Sequence, residues 1–142
     1  MRKARALDAP GAIVLAADTV VVLEDEILGK PADALEASRT LRRLSGRTHT
    51  VVTGLAVRFD DRDATAHATT AVTFADLSDA EIEAYVATGS SLDKAGAYGI
   101  QDDLGALLVE RLEGDYFNVV GLPLRRLYTL LRTALPDLVA PL

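Results

Sequence analysis

The stretch AIVLAADTVVVLEDEILGKP, residues 12–31, decides how the rest of the chain is read. Its apolar and β-branched residues fall into two runs, 12–17 and 20–23, and both read as strand. Asp18 and Thr19 interrupt them. Residues 24–26 read as a turn leading to Ile27 and Leu28, and Gly29-Lys30-Pro31 then closes the segment. A carboxylate at a strand end followed by a glycine-lysine turn is the pattern to be explained. Asp18 has two readings: it caps a turn or pairs with a buried arginine, or it serves as a general base or metal ligand at the open edge of an α/β sheet. Lys30 likewise is either a solvated turn lysine or a phosphate contact, with Gly29 allowing close backbone approach. It is not part of a Walker A loop, because the spaced glycine before it and the Ser or Thr after it are absent.

Outward from this stretch, residues 34–44 place Ala34, Ala37, Leu41 and Leu44 on one helical face, with Gly46 as the C-terminal cap. Residues 2–9 read as the tail of a helix stopped by Pro10 and Gly11. Residues 49–59 and 66–74 read as a hairpin around Asp60-Asp61-Arg62-Asp63. Ser78 with Glu81 forms a capping box that starts a helix running to about Thr88. After the glycine-rich DKAGAYGIQ (93–101) come a short apolar run, 106–109, and a loop, 114–123. Pro123 opens a last helix with a stripe of Leu124, Leu127, Leu130, Leu131 and Leu135. Strands, a hairpin and helices in this order predict an α/β fold with a mixed sheet flanked by helices.

Composition narrows the function. The 142 residues are 49% hydrophobic, enough for a single domain, 1–142, with its own core. With 15 Lys and Arg against 21 Asp and Glu, the net charge of −6 speaks against a duplex nucleic-acid binder. The absence of cysteine excludes a disulfide framework, a thiol nucleophile and a Cys-ligated zinc site. No apolar run reaches membrane-span length and the start lacks a signal-peptide core, so a cytoplasmic protein without a membrane partner is expected.

The segment 93–101 has two glycines and two alanines without amphipathic period. It is read either as close backbone packing or as a backbone-lined anion cradle with Lys94 at its mouth. Gln101, carrying both donor and acceptor, reads a base edge or satisfies a turn. Asn118 is expected to hold backbone groups, and His49 to be a packed, hydrogen-bonded histidine rather than a metal ligand.

In order, Ala-Asp-Thr-Val-Val (17–21), Ile-Leu-Gly-Lys-Pro (27–31), Leu-Ser-Gly-Arg-Thr-His-Thr-Val (44–51), Asp-Lys-Ala-Gly-Ala-Tyr-Gly-Ile-Gln (93–101) and Asn-Val-Val-Gly-Leu-Pro (118–123) closely resemble the Maf family of nucleoside triphosphate pyrophosphatases. The resemblance implies a fold similar to inosine triphosphate pyrophosphatases, with an elongated sheet and a cleft for a nucleotide and a divalent metal, Mg²⁺ or Mn²⁺. It implies that Asp18 is the proton acceptor and metal contact, that Lys30 and Lys94 neutralise phosphate charge, and that Thr19 and Gln101 discriminate bases, as in the dTTP- and UTP-preferring branch. It also implies a homodimer and a link to cell division and septum formation.

The sequence departs from the family pattern in two places. The family's opening strand and Ser-Pro-Arg-Arg loop have no counterpart before Arg2-Lys3-Ala4-Arg5-Ala6, which resembles the end of the following helix. The expectation is a missing wall of the cleft, and with it an alternative function as a catalytically impaired, nucleotide-binding or interaction module. Near Lys94, Gly89-Ser90-Ser91 replaces Gly-Glu-Pro, and Asp102 stands where glycine is common.

Overall fold

The computed structural model of the chain describes residues 2–5 and 9–142. Its centre is β1, Val14–Leu23, which runs unbroken through Asp18 and Thr19. The expected interruption is absent because both residues keep their ladder positions, Asp18 opposite Gly54 and Thr19 opposite Thr53, and only their side chains leave the apolar pattern. Glu24 and Asp25 turn the chain at φ of 48° and 67°, as a two-residue hairpin requires. The returning β2, Glu26–Leu28, is only three residues long and pairs with Val21 to Leu23 alone. Beyond Val21, therefore, β1 has one open edge.

Helix α2, Ala34–Leu44, forms as predicted, with Asp33 accepting a 2.8 Å bond from the Glu36 amide at its start. Ala37, Leu41 and Leu44 are its buried residues. Strands β3, Thr48–Phe59, and β4, Arg62–Phe74, form the hairpin. Its turn is tighter than expected: Arg62 pairs with Phe59 across a two-residue connection, so β4 begins four residues before the predicted start. Asp60 accommodates this at φ 52°.

Helix α3, Asp79–Ala87, carries the predicted capping box between Ser78 and Glu81. The short α4, Gly105–Leu108, then leads into β5, Val109–Glu113, which pairs with the far edge of β4. Strand β5 was not expected, because VERLE has no apolar alternation to announce it. Helix α5, Tyr116–Val120, occupies part of the predicted loop, capped by Asp115. The last helix, α6, Leu124–Ala134, lies against β4 and β3. Of its expected stripe Leu135 is buried, whereas Leu124 is exposed.

The sheet order is β2-β1-β3-β4-β5. All pairings among the described residues are antiparallel, where a mixed sheet was expected; the α/β architecture with flanking helices is as predicted. Two of the four pairings are hairpins, which close only in the antiparallel sense. The predicted helix over residues 2–9 is present at Arg2–Arg5 as α1, and residues 6–8 lie outside the described residues.

The principal core joins Val21, Leu23, Val51, Val72 and Phe74 of the sheet to α2, to Ile82 and Tyr85 of α3, and to Tyr98 and Ile100. The glycine-rich segment is thus also part of the core. A smaller cluster, Ala4 with Val14 and Ala56, seats α1 beside the sheet. No helix among the described residues is long and apolar enough to cross a membrane.

Candidate active site

Where β2 stops, the open edge of β1 faces a cavity of about 240 Å³. Asp18, Thr19, Lys30, Lys94 and Gln101 all line it, so the five candidate catalytic and substrate-binding residues come to one place. Alternation along β1 sends Asp18 and Thr19 to opposite faces of the sheet, and both reach the same cavity only because the strand edge there is uncovered.

The loop after β2 and the segment 93–101 are fastened together by the Gly96 amide, which donates to the Gly29 carbonyl at 3.2 Å. This bond brings Lys30 and Lys94 to a common rim. The Lys94 ammonium is only partly exposed and lies 3.0 Å from the Ser90 carbonyl, 3.1 Å from Asp93 Oδ1 and 3.5 Å from Asp102 Oδ2. The hydrogen bond from Lys94, with its charge and the more distant charge of Lys30, holds the Asp93 carboxyl below its usual range. Ser90 and Asp102, which both belong to the departure from the family pattern near Lys94, therefore both lie against Lys94.

Asp102 is itself fixed. The Tyr85 phenol of α3 donates to its Oδ2 at 2.8 Å and accepts the Gly99 amide at 2.8 Å. Burial raises the pKa of that phenol, so it remains a donor. Gly99 has no room for a side chain: a Cβ there would lie 2.6 Å from Lys94 Cε and 2.7 Å from Asp102 Oδ2.

Asp18 differs from these packed groups. Its side chain is 72% exposed and forms a 3.0 Å ion pair with Lys3 of α1. Asp18 and Lys3 also line an adjoining cavity of about 360 Å³, together with Arg2. Lys3 is a contact that the sequence reading missed; its only signal was the basic run at residues 2–5.

On the other face, the Thr19 hydroxyl lies 2.8 Å from that of Thr53. Thr53 and Asn118 are both fully buried. The Asn118 amide donates to the Val51 carbonyl at 3.1 Å and to Thr70 Oγ1 at 2.9 Å, which fits its expected role of holding backbone groups. His49 is buried, as expected, with Nε2 2.7 Å from the Tyr98 hydroxyl and its ring edge-on to Phe74 and Tyr98. Burial depresses its pKa to about 4.

Two lysines from separate loops beside a solvent-facing carboxylate, over the edge of an α/β sheet, form an arrangement able to receive a phosphate-bearing ligand. Comparison with known proteins makes this specific. A model of the family described as Maf-like protein matches residues 1–134, and the chain belongs to that family. It is 59% identical over 142 residues to the dTTP/UTP pyrophosphatase of Salinibacter ruber, a match covering 97% of this chain and 70% of that relative. It is 56% identical over 128 residues to the dTTP/UTP pyrophosphatase of Symbiobacterium thermophilum, covering 89% and 66%, and 58% identical over 135 residues to that of Moorella thermoacetica, covering 92% and 69%. The chain thus spans about two thirds of the length of these relatives.

Proposed function

We propose that this chain hydrolyses nucleoside triphosphates, dTTP and UTP foremost, to the nucleoside monophosphate and pyrophosphate. The observation that carries the reading is the convergence of Asp18, Thr19, Lys30, Lys94 and Gln101, spread over more than half of the chain, on one cavity. The substrate preference rests on the relatives' names and on the Thr19 and Gln101 pair.

In this reading the exposed Asp18 carboxylate accepts a proton from the attacking water. The new bond joins that water oxygen to the α-phosphorus, the α–β bridging bond breaks, and pyrophosphate leaves with the electron pair. Lys30 and Lys94 hold the charge that builds on the departing oxygens, in a position fixed before reaction by their packed loops. Lys94 exchanges one or more of its three internal oxygen partners for phosphate oxygens.

A divalent cation fits the donor set as a shared ligand rather than as a caged one. Among the described residues no cluster of three or more His, Cys, Asp or Glu can hold a metal, but Asp18 and Asp93 both line the cavity. Mg²⁺ is commonly held by one or two carboxylates together with substrate phosphates. Asp18, with Asp93, would hold it, and when bound it would share phosphate charge and acidify water.

The test is pyrophosphate release from dTTP, UTP, CTP, GTP and ATP in Mg²⁺ or Mn²⁺, beside Asp18→Asn. The expected result is turnover led by dTTP and UTP, lowered at least about 100-fold by the substitution, with the melting temperature retained because Asp18 is exposed. Nucleotide binding without turnover would favour a non-catalytic binding module. That alternative has one observation behind it: Asp18 and Lys94 are both ion-paired within the chain.

A further inference from the structure

The hydroxyl of Thr19 has a direction that the surrounding hydrogen bonds fix. Thr53 Oγ1 lies 3.2 Å from the Asn118 carbonyl, and a carbonyl can only accept. The arrangement that makes both hydrogen bonds puts the Thr53 proton on that carbonyl and leaves Thr19 as the donor in the 2.8 Å Thr19–Thr53 pair. Thr53 is fully buried opposite Thr19 in the β1–β3 ladder, so no solvent competes for its proton.

Its acceptor is equally fixed. The Asn118 side-chain amide spends both protons on Val51 and Thr70, which anchors α5 over the sheet and holds in place the Asn118 main-chain carbonyl, which also accepts the Gly121 amide at 3.0 Å. Thr19 is therefore left with lone pairs and no proton for the cavity that it lines. Space for a ligand atom beside it is preserved by Gly121, whose Cβ position lies 3.6 Å from Thr19 Oγ1.

We infer that Thr53 is a positioning residue for specificity: by holding the Thr19 hydroxyl as an acceptor toward the ligand, it selects a nucleobase that presents a ring N–H over one that presents a bare ring nitrogen. Uracil and thymine carry such an imide N–H at ring position 3, and cytosine carries an unprotonated nitrogen there. A site whose buried partners are already committed rejects the wrong pattern because the mismatch leaves two acceptors facing each other. The inference rests on the proposed nucleotide hydrolysis and adds to it the polarity of the contact and the residue that sets it.

Thr53→Val keeps the shape of Thr53 and removes its hydroxyl. Thr19 then loses its acceptor and is free to turn its proton toward the ligand. The measurement is kcat/KM for UTP and for CTP, by pyrophosphate release, in the native chain, Thr53→Val, Thr53→Ser and Thr19→Val. The expected result is a UTP-to-CTP ratio that falls about tenfold or more in Thr53→Val and is kept by Thr53→Ser. In a Thr19→Val background, adding Thr53→Val should leave the ratio where it is.

A folded Thr53→Val with both substrates slowed alike and the ratio unchanged would overturn the inference while leaving the hydrolase reading intact. If Thr53→Val does not fold, Thr19→Val decides: an unchanged ratio there overturns the inference just as firmly. A native chain that neither binds nor hydrolyses UTP would remove the parent reading and this inference together.

Discussion

Gly99 and Gly105 show how much a single absent methyl can decide. At Gly99 a Cβ would press on two side chains, at Lys94 Cε and Asp102 Oδ2, which must shift to admit it, Asp102 against its hydrogen bond from Tyr85. Gly99→Ala is therefore expected to cost the fold about 1–2 kcal/mol while displacing Lys94, the lysine proposed to face the phosphates, with kcat/KM for UTP falling at least about tenfold. At Gly105 the obstacle is backbone, the Gly99 carbonyl oxygen 1.8 Å from the Cβ position. Gly105→Ala should destabilise by more than about 3 kcal/mol, seen as a lower urea midpoint. Equal stability losses in the two variants would contradict this division. The role of Gly99 was hidden in the sequence, where DKAGAYGIQ read either as close packing or as an anion cradle. The structure has close approach at Gly99, as the packing reading expects, and it sets Lys94 with Lys30 on the cavity rim, where the cradle reading belongs to the proposed function.

Among the elements, α3 reaches the site through one phenol. Tyr85 ties the Gly99 amide to Asp102, and Asp102 stands beside Lys94. Tyr85→Phe retains the buried ring and leaves the Gly99 amide without its acceptor, which should cost about 1–3 kcal/mol. Release of Asp102 should also weaken UTP turnover, and restoring stability with an osmolyte should not restore that loss. Recovery of full activity by the osmolyte would reduce Tyr85 to a packing role. The helix itself was legible from its Ser78 and Glu81 capping box. Its tie to the site was not, because residues 85 and 99 meet only after the segment between them turns back. Strand β1 gives the converse case: Asp18 and Thr19 look like a break in sequence, yet the ladder runs through them, because a strand needs backbone partners rather than apolar side chains. Strand β5 escaped notice for a related reason, being specified by the free edge of β4 and not by its own pattern.

At the scale of the whole molecule, His49 links stability to pH. Burial lowers its pKa to about 4 from the ordinary histidine value of 6.5, so between these values the unfolded chain binds the extra proton and the folded chain does not. The stability it withholds is therefore absent above about pH 6.5 and grows as pH falls through the window to 4, reaching a loss of about 3 kcal/mol at most. Urea midpoints should fall from pH 7 toward pH 4, and His49→Phe should flatten that limb if the aromatic variant packs against Phe74 and Tyr98. An equally steep limb in the folded variant would assign the effect to other groups. Such linkage is a property of the assembled core, since His49 lies on β3 while Tyr98 belongs to the glycine-rich segment.

By itself the sequence determined the short-range features, the helix α2 with its apolar face, the α3 capping box, the long hairpin and the identity of five candidate site residues. These are encoded by period, caps and ordered motifs, all of which act over a few residues. Tertiary structure alone decided that β2 stops at Leu28 and leaves β1 open, that the Gly96 amide fastens the two lysine-bearing loops, that Lys3 meets Asp18, and that the Thr53 hydroxyl meets that of Thr19. Each of these depends on atoms brought together from distant segments, where hydrogen-bond direction and steric room are fixed only once the partners are in place.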